Sequence, residues 1–300
     1  MMLGARQRVS KRSLPFVLCA DDYAINEGVS RAVLDLIDAG RLTAVSAMAS
    51  TPLWRQAGKD LIARRGSVAV GLHLDLTHCP FEGKRPPFDL RRLLIGSLIG
   101  RLDVATIALE FERQFDRFEM AFGFAPDHVD GHHHVHALPQ VRIAFFQVLR
   151  RRFSGQPALA RPLVRDPADT WRRILSRGGA RAKALTVDTL SKGFQARARA
   201  YGFETNIGFS GFSHFAGDGQ YRREFIEFLR EPGPRHLVMC HPGVAKNARA
   251  ALEHTARAGA DEYASLMANA LLPNTILRIC RDAGRSNSAF ADWVPGRPEI

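Results

Sequence analysis

FVLCADD, residues 16–22, is a five-residue apolar run closed by two adjacent aspartates. A run this short, set between polar segments, suits a strand buried on both faces. In a dinucleotide-binding fold such a strand leads into a Gly-rich turn of the GxGxxG type. Here it leads into Asp21 and Asp22, so that fold is disfavoured. Capping of the next helix does not explain the pair either, because Asn26 and Ser30 are better placed to cap it. Two neighbouring carboxylates behind a buried strand are costly unless a cation or a proton offsets them.

The pattern recurs outward along the chain. Strand candidates are 16–20, 43–49, 68–76, 128–132, 163–165 and 237–240. Helix-period segments lie between and after them, at 29–39, 53–64, 105–122, 139–152, 171–177, 221–229 and 263–271. In 105–122 the apolar residues Ile107, Phe111, Phe115, Phe118 and Phe122 recur at helical spacing, the mark of a core-facing helix. Alternating strand and helix predicts a parallel sheet, and about seven such units predict an α/β fold with a single distorted (β/α) barrel, TIM-like. The interval 78–101, with Pro80, Pro86 and Pro87, reads as loop.

Residues 1–13 read as a flexible basic N-terminus and 14–300 as one catalytic barrel domain, since no repeat or linker interrupts them. LPFVLCA, the longest apolar stretch near the start, has seven residues, too few for a membrane span or a signal peptide. Cys19, Cys79, Cys240 and Cys280 lie far apart without CxxC spacing, as expected of reduced thiols in a cytoplasmic protein. The formal charge is +12, and 150–199 holds thirteen Lys/Arg against Asp166, Asp169 and Asp188. That stretch lacks aromatic interleaving and any nucleic-acid module, so it reads as a solvated helical face and no nucleic-acid partner is expected.

Four apolar runs end in ionisable groups: FVLCADD, VAVGLHLDL (His73, Asp75), HVDGHHHVH at 128–136, and HLVMCHPG (His241). A β/α barrel builds its site at the C-terminal ends of its strands, so these groups should converge. His73 alone would pass for a satisfied core histidine, and Asp75 for a residue holding a loop. The nine-residue stretch is the strongest signal. As a strand it puts His128, Asp130, His132, His134 and His136 on one face; turned helical after Gly131, it pairs His132 with His136. Either way two or more imidazoles and a carboxylate share one side, as a metal site requires. Five histidines cannot all ligate one ion, so some must support ligands or contact substrate.

With ADD (20–22), GLHLDLT (71–77), HVDGHHHVH (128–136) and MCHP (239–242) in this order, the chain resembles the YdjC-like carbohydrate deacetylases, which include the chitooligosaccharide deacetylases. The resemblance implies a distorted β/α barrel and a divalent metal held by Asp22, His73 and His132. It implies Asp21 as general base and His241 as general acid. His134 and His136 then line the substrate side, and Asp130 belongs there or orients a ligand; His128 and His133 receive no task. Tyr23-Ala24 stands where the family often has Phe-Gly, which bears on the substrate pocket. The implied partner is an N-acetylated carbohydrate, with a homodimer compatible. Two histidines and one carboxylate suit Zn, Co, Mn or Fe, and Mg less naturally.

Three rivals follow from the same residues. A metal-dependent phosphoesterase of the same barrel class would use the Asp/His site and draw phosphates to the basic stretch. A non-haem iron oxygenase would need an all-β core, which the alternation contradicts. A basic nucleic-acid- or lipid-surface-binding protein leaves the four polar strand ends unexplained.

Overall fold

A computed structural model describes residues 16–80, 88–244, 254–279 and 290. The expected basic N-terminus (1–13), Cys280, Pro86 and Pro87 lie outside the described residues. Seven strands form the sheet: β1 (Val17–Tyr23), β2 (Ala44–Ala47), β3 (Ala69–Leu74), β4 (His128–Gly131), β5 (Leu163–Val164), β6 (Phe209–Ser210) and β7 (Leu237–Cys240). Their order is β5-β4-β3-β2-β1-β7-β6, and each adjacent pair is parallel. The sheet curls until residues 204–210 reach both edges: Thr205 bridges to Val164, and Phe209 pairs with Leu237. The result is the expected α/β distorted barrel.

Strand alternation sorts the core into two. Outward residues such as Leu18, Val45, Val70, Leu72, Val129 and Val238 join the large cluster shared with the helices. Inward residues such as Val17, Cys19, Ala44, Ala69, Leu163, Leu237 and Met239 fill the barrel. The helices packed outside include α1 (Glu27–Asp38) and α2 (Trp54–Ile62). Asn26 caps α1, its side chain accepting from Val29 N at 2.9 Å, which leaves the aspartates free of that duty.

The interval expected to be loop contains α3 (Leu90–Leu98). The loop signal came from prolines that precede it; Asp89 then caps the helix, accepting from Arg92 N at 3.0 Å. Next comes α4 (Val104–Phe122), whose Phe111, Phe115, Phe118 and Phe122 are fully buried as its spacing predicts. After β4 and α5 (Val141–Phe153), the chain forms α6 (Trp171–Ser176), α7 (Arg181–Leu190) and α8 (Phe194–Ala200). The last two escape a periodicity reading because each turns just one or two residues to the core: Ala184 in α7, Phe194 and Ala198 in α8. Strand β6 escapes it as well, being two residues long and set between Gly208 and Gly211, both at positive φ. The chain closes with α9 (Tyr221–Phe228), α10 (His254–Ala268) and α11 (Leu272–Thr275). No helix among the described residues is long and apolar enough to cross a membrane.

Candidate active site

Alternation along β1 would send Asp21 and Asp22 to opposite faces. A bulge between Ala20 and Tyr23 prevents this, with Asp22 in the left-handed region at φ 63°. Both carboxylates therefore reach the C-terminal mouth of the barrel. Asp22 Oδ1 lies 3.2 Å from His73 Nε2 on β3 and 2.8 Å from His132 Nδ1 after β4. Burial alone would raise the Asp22 carboxyl, but His132 and His73 outweigh it and hold it well below the ordinary range.

His73 is oriented from behind. Its Nδ1 donates to Asp130 Oδ1 at 2.6 Å, so Nε2 faces Asp22. Burial opposes charge on that ring, yet Asp130 and Asp22 raise its pKa to about 10. Asp130 belongs to a chain of bonds one layer down. Ser46 Oγ donates to Asp130 Oδ2 at 2.6 Å and lies 2.8 Å from His128 Nε2. His128 thus has a place, inside the barrel; burial lowers its pKa to about 4.

The residue that sequence reasoning missed is Arg165, which follows β5. It is wholly buried and grips Asp21 with both arms, Nη1 to Oδ2 at 2.6 Å and Nη2 to Oδ1 at 2.7 Å. Nη2 also reaches Asp130 Oδ2 at 2.6 Å. One guanidinium thereby ties together the two carboxylates behind the Asp22–His73–His132 cluster. The signal was present, because PLVR is an apolar run ending in a charged residue, like the other four. Counting Arg165 within a basic stretch obscured it.

A cavity of about 1030 Å³ opens over these groups. Asp21, Asp22, His73, His132, His133, His134 and His241 border it, together with Lys183 of α7. His241 follows β7; its backbone N–H donates to the buried carboxylate of Glu262 on α10 at 2.6 Å. Burial lowers the His241 pKa, partly offset by Asp22 and Asp21.

The histidine stretch follows neither of its two expected geometries. The strand stops at Gly131, and His133 and His134 take φ 53° and 57°, a left-handed step that non-glycine residues seldom make. His132 consequently turns to Asp22, with the His133 ring 3.9 Å away. His134 is buried against Phe209 and Phe212 at the cavity wall. Asp130 and His136 were expected on the substrate side. Both are fully buried and neither borders the cavity. His136 Nε2 lies 2.9 Å from the Arg165 carbonyl, and its ring packs on Phe145 and Phe194. Asp75 holds a loop, accepting the backbone N–H groups of Thr77, His78 and Cys79 at 2.8 Å each.

Among the described residues, three overlapping groups bring candidate ligand atoms within 4.8 Å of one another: Asp22/His73/His132, Asp21/His73/Asp130 and Cys19/His128/Asp130. In the last two, Arg165 occupies the carboxylates. Of these three groups, Asp22, His73 and His132 combine a carboxylate free of any arginine partner with two imidazoles at the cavity, and this donor set fits a divalent ion.

The profile of the YdjC-like protein family matches residues 15–273. Chitooligosaccharide deacetylases of Yersinia pestis (strain Pestoides F) and Yersinia pseudotuberculosis (serotype O:3, strain YPIII) are each 32% identical over 131 residues, 42% of this chain and 51% of theirs. The chain spans about half the length of these curated relatives. Among solved structures, a candidate cellobiose-phosphate cleavage protein from Enterococcus faecalis V583 shares the fold at TM-score 0.57. Its identity is 17%, over 88% of this chain and 97% of that one.

Proposed function

The chain belongs to the YdjC-like family, and on that premise we propose that it hydrolyses the N-acetyl group of an acetylated amino sugar. The observation that carries this reading is the convergence of Asp22 Oδ1, His73 Nε2 and His132 Nδ1 beside a cavity that Asp21 and His241 also border. Asp22, His73 and His132 hold one divalent ion, and their donor set suits Zn, Co, Mn or Fe over Mg. Such an ion, when bound, acidifies a water and polarises the acetyl carbonyl.

The chain's own residues do the proton work. Asp21 accepts the water proton; the Arg165 fork fixes its plane and leaves each oxygen a further lone pair for that proton. His241 donates a proton to the departing nitrogen, and burial makes its imidazolium the stronger acid. Asp130 and Arg165 keep His73 and Asp21 in position without touching substrate. Residues 14–300 act as one catalytic unit. The free thiols of Cys19, Cys79 and Cys240 suit the reducing cytoplasm.

The test is acetate release from N-acetylated mono- and oligosaccharides by chelated and metal-reloaded protein side by side. Metal-dependent acetate is expected. A protein that holds one metal ion per chain and releases no acetate from any of them would overturn the reading.

A further inference from the structure

The cavity is larger and greasier than one amino-sugar ring needs. At about 1030 Å³ it lies at the upper end of ligand-site volumes, about 300–1,000 Å³. One part carries the carboxylates, imidazoles and Lys183. Another carries branched aliphatic side chains: Leu90 and Leu94 of α3, Leu138, and Val187 and Leu190 of α7. These elements are joined around the start of α5. Gln140 N donates to Ser97 Oγ of α3 at 3.0 Å, and Arg142 donates to the Leu190 carbonyl of α7.

Within each helix the lining residues share one face. Leu90 and Leu94 stand at i, i+4, and Lys183, Val187 and Leu190 at i, i+4, i+7. On α3 the row runs on to Leu98, which is 58% exposed. An aliphatic track thus borders the cavity and, along α3, runs on to the exposed Leu98. A longer sugar chain is a poor occupant of such a track. Its hydroxyls need polar partners, and its C–H faces are best covered by aromatic rings. Among the described residues the one Phe, Tyr or Trp bordering the cavity is Phe215, and an acetyl methyl is too small to cover five aliphatic side chains.

We infer that the substrate is an amphiphile, with the acetylated amino sugar as its head and an aliphatic chain lying along Leu90, Leu94, Leu138, Val187 and Leu190. This rests on the deacetylase reading and narrows its substrate class. The sugar sits among Asp21, Asp22, His132 and His241, and the chain leaves between α3 and α7.

The experiment uses the metal-loaded full chain and a series of N-acetylglucosaminides with methyl, butyl and octyl aglycones, all below their micelle thresholds. A free chitooligosaccharide serves as reference. A fully buried methylene is worth about fourfold in affinity; the walls here are partly exposed, so kcat/KM should rise at least tenfold from methyl to octyl. Leu90→Gln and Leu94→Gln should each lower the octyl-to-methyl ratio. Leu109→Gln, on the outer face of α4 at 70% exposure, should leave the ratio as it is. Equal kcat/KM across the series overturns the amphiphile inference and leaves the deacetylase reading intact. A rise that appears only above the micelle threshold overturns it too, because the chain then acts outside the cavity. No acetate from the series or the chitooligosaccharide sinks the underlying reading and the inference with it.

Discussion

Arg165 decides the electrostatics of the site, since it is the buried cation that offsets the buried Asp21 and Asp130. Removing one partner of such a group leaves a charge stranded, at about 3–5 kcal/mol. Arg165→Met should therefore lower unfolding stability by about that amount. Adding Asp21→Asn to it should recover part of the loss, and denaturant titration of the single and double variants reads the coupling. Additive losses would show that the bidentate contact carries no coupling energy. The ligand positions give a separate test. Asp22→Ala or His132→Ala should abolish both metal content and turnover with the fold retained, measured by elemental analysis, acetate release and circular dichroism. Asp21→Asn should keep the metal and lose roughly 10²–10⁴-fold in rate; full activity there would end its role as base.

At the scale of elements, one period-2 rule places most of the site. Inward positions follow the register: Cys19 stands opposite Ala44 and Ala44 opposite Ala69, then Ser46 opposite Gly71 with His128 against it, then His73 opposite Asp130 beneath the mouth. This much was legible, because apolar runs ending in Asp or His mark strand ends in the chain itself. Two things were not. The bulge that turns Asp22 inward and the left-handed step at His133 and His134 depend on tertiary contacts, and no local propensity announces them. The register also explains a glycine. A Cβ on Gly71 would stand 2.3 Å from His128 Nε2, which is already committed to Ser46. Gly71→Ala should thus cost about 1–3 kcal/mol by overpacking, and should loosen the Ser46–Asp130 support of His73. Chemical denaturation measures the first effect and metal affinity the second; a variant as stable and as tight as the parent would mean that His128 has room to move.

For the whole molecule, the net charge of +12 gathers in 150–199, which the sequence presents as a solvated helical face, but several of its arginines are paired with carboxylates. Arg151 and Arg152 pair with Glu112 of α4, and Arg173 and Arg177 with Asp169. These arginines brace helices, and Arg165 supports the site itself. Sequence counting could not separate such roles, since a charge tally carries no partners. Embedded in the same stretch is Asp166, 7% exposed, whose carboxyl burial pushes up to about 7 while the Ala168 N–H pulls it partly back. In the unfolded chain an aspartate titrates near 3.8. The folded state therefore holds a proton that the unfolded state has lost between those values, and stability must fall as pH rises through that window. Below about pH 4 both states are protonated and the contribution is fully present. Across the window each pH unit removes about 1.4 kcal/mol, and above about pH 7 both states are ionised and the loss is complete. Asp166→Asn removes the titration while keeping an acceptor for Ala168. Its stability relative to the parent should climb from pH 4 to pH 7 and then level off, read from urea midpoints across that range. A difference that stays constant with pH would mean that Asp166 ionises in the folded protein as readily as in water, and that its burial is relieved by solvent.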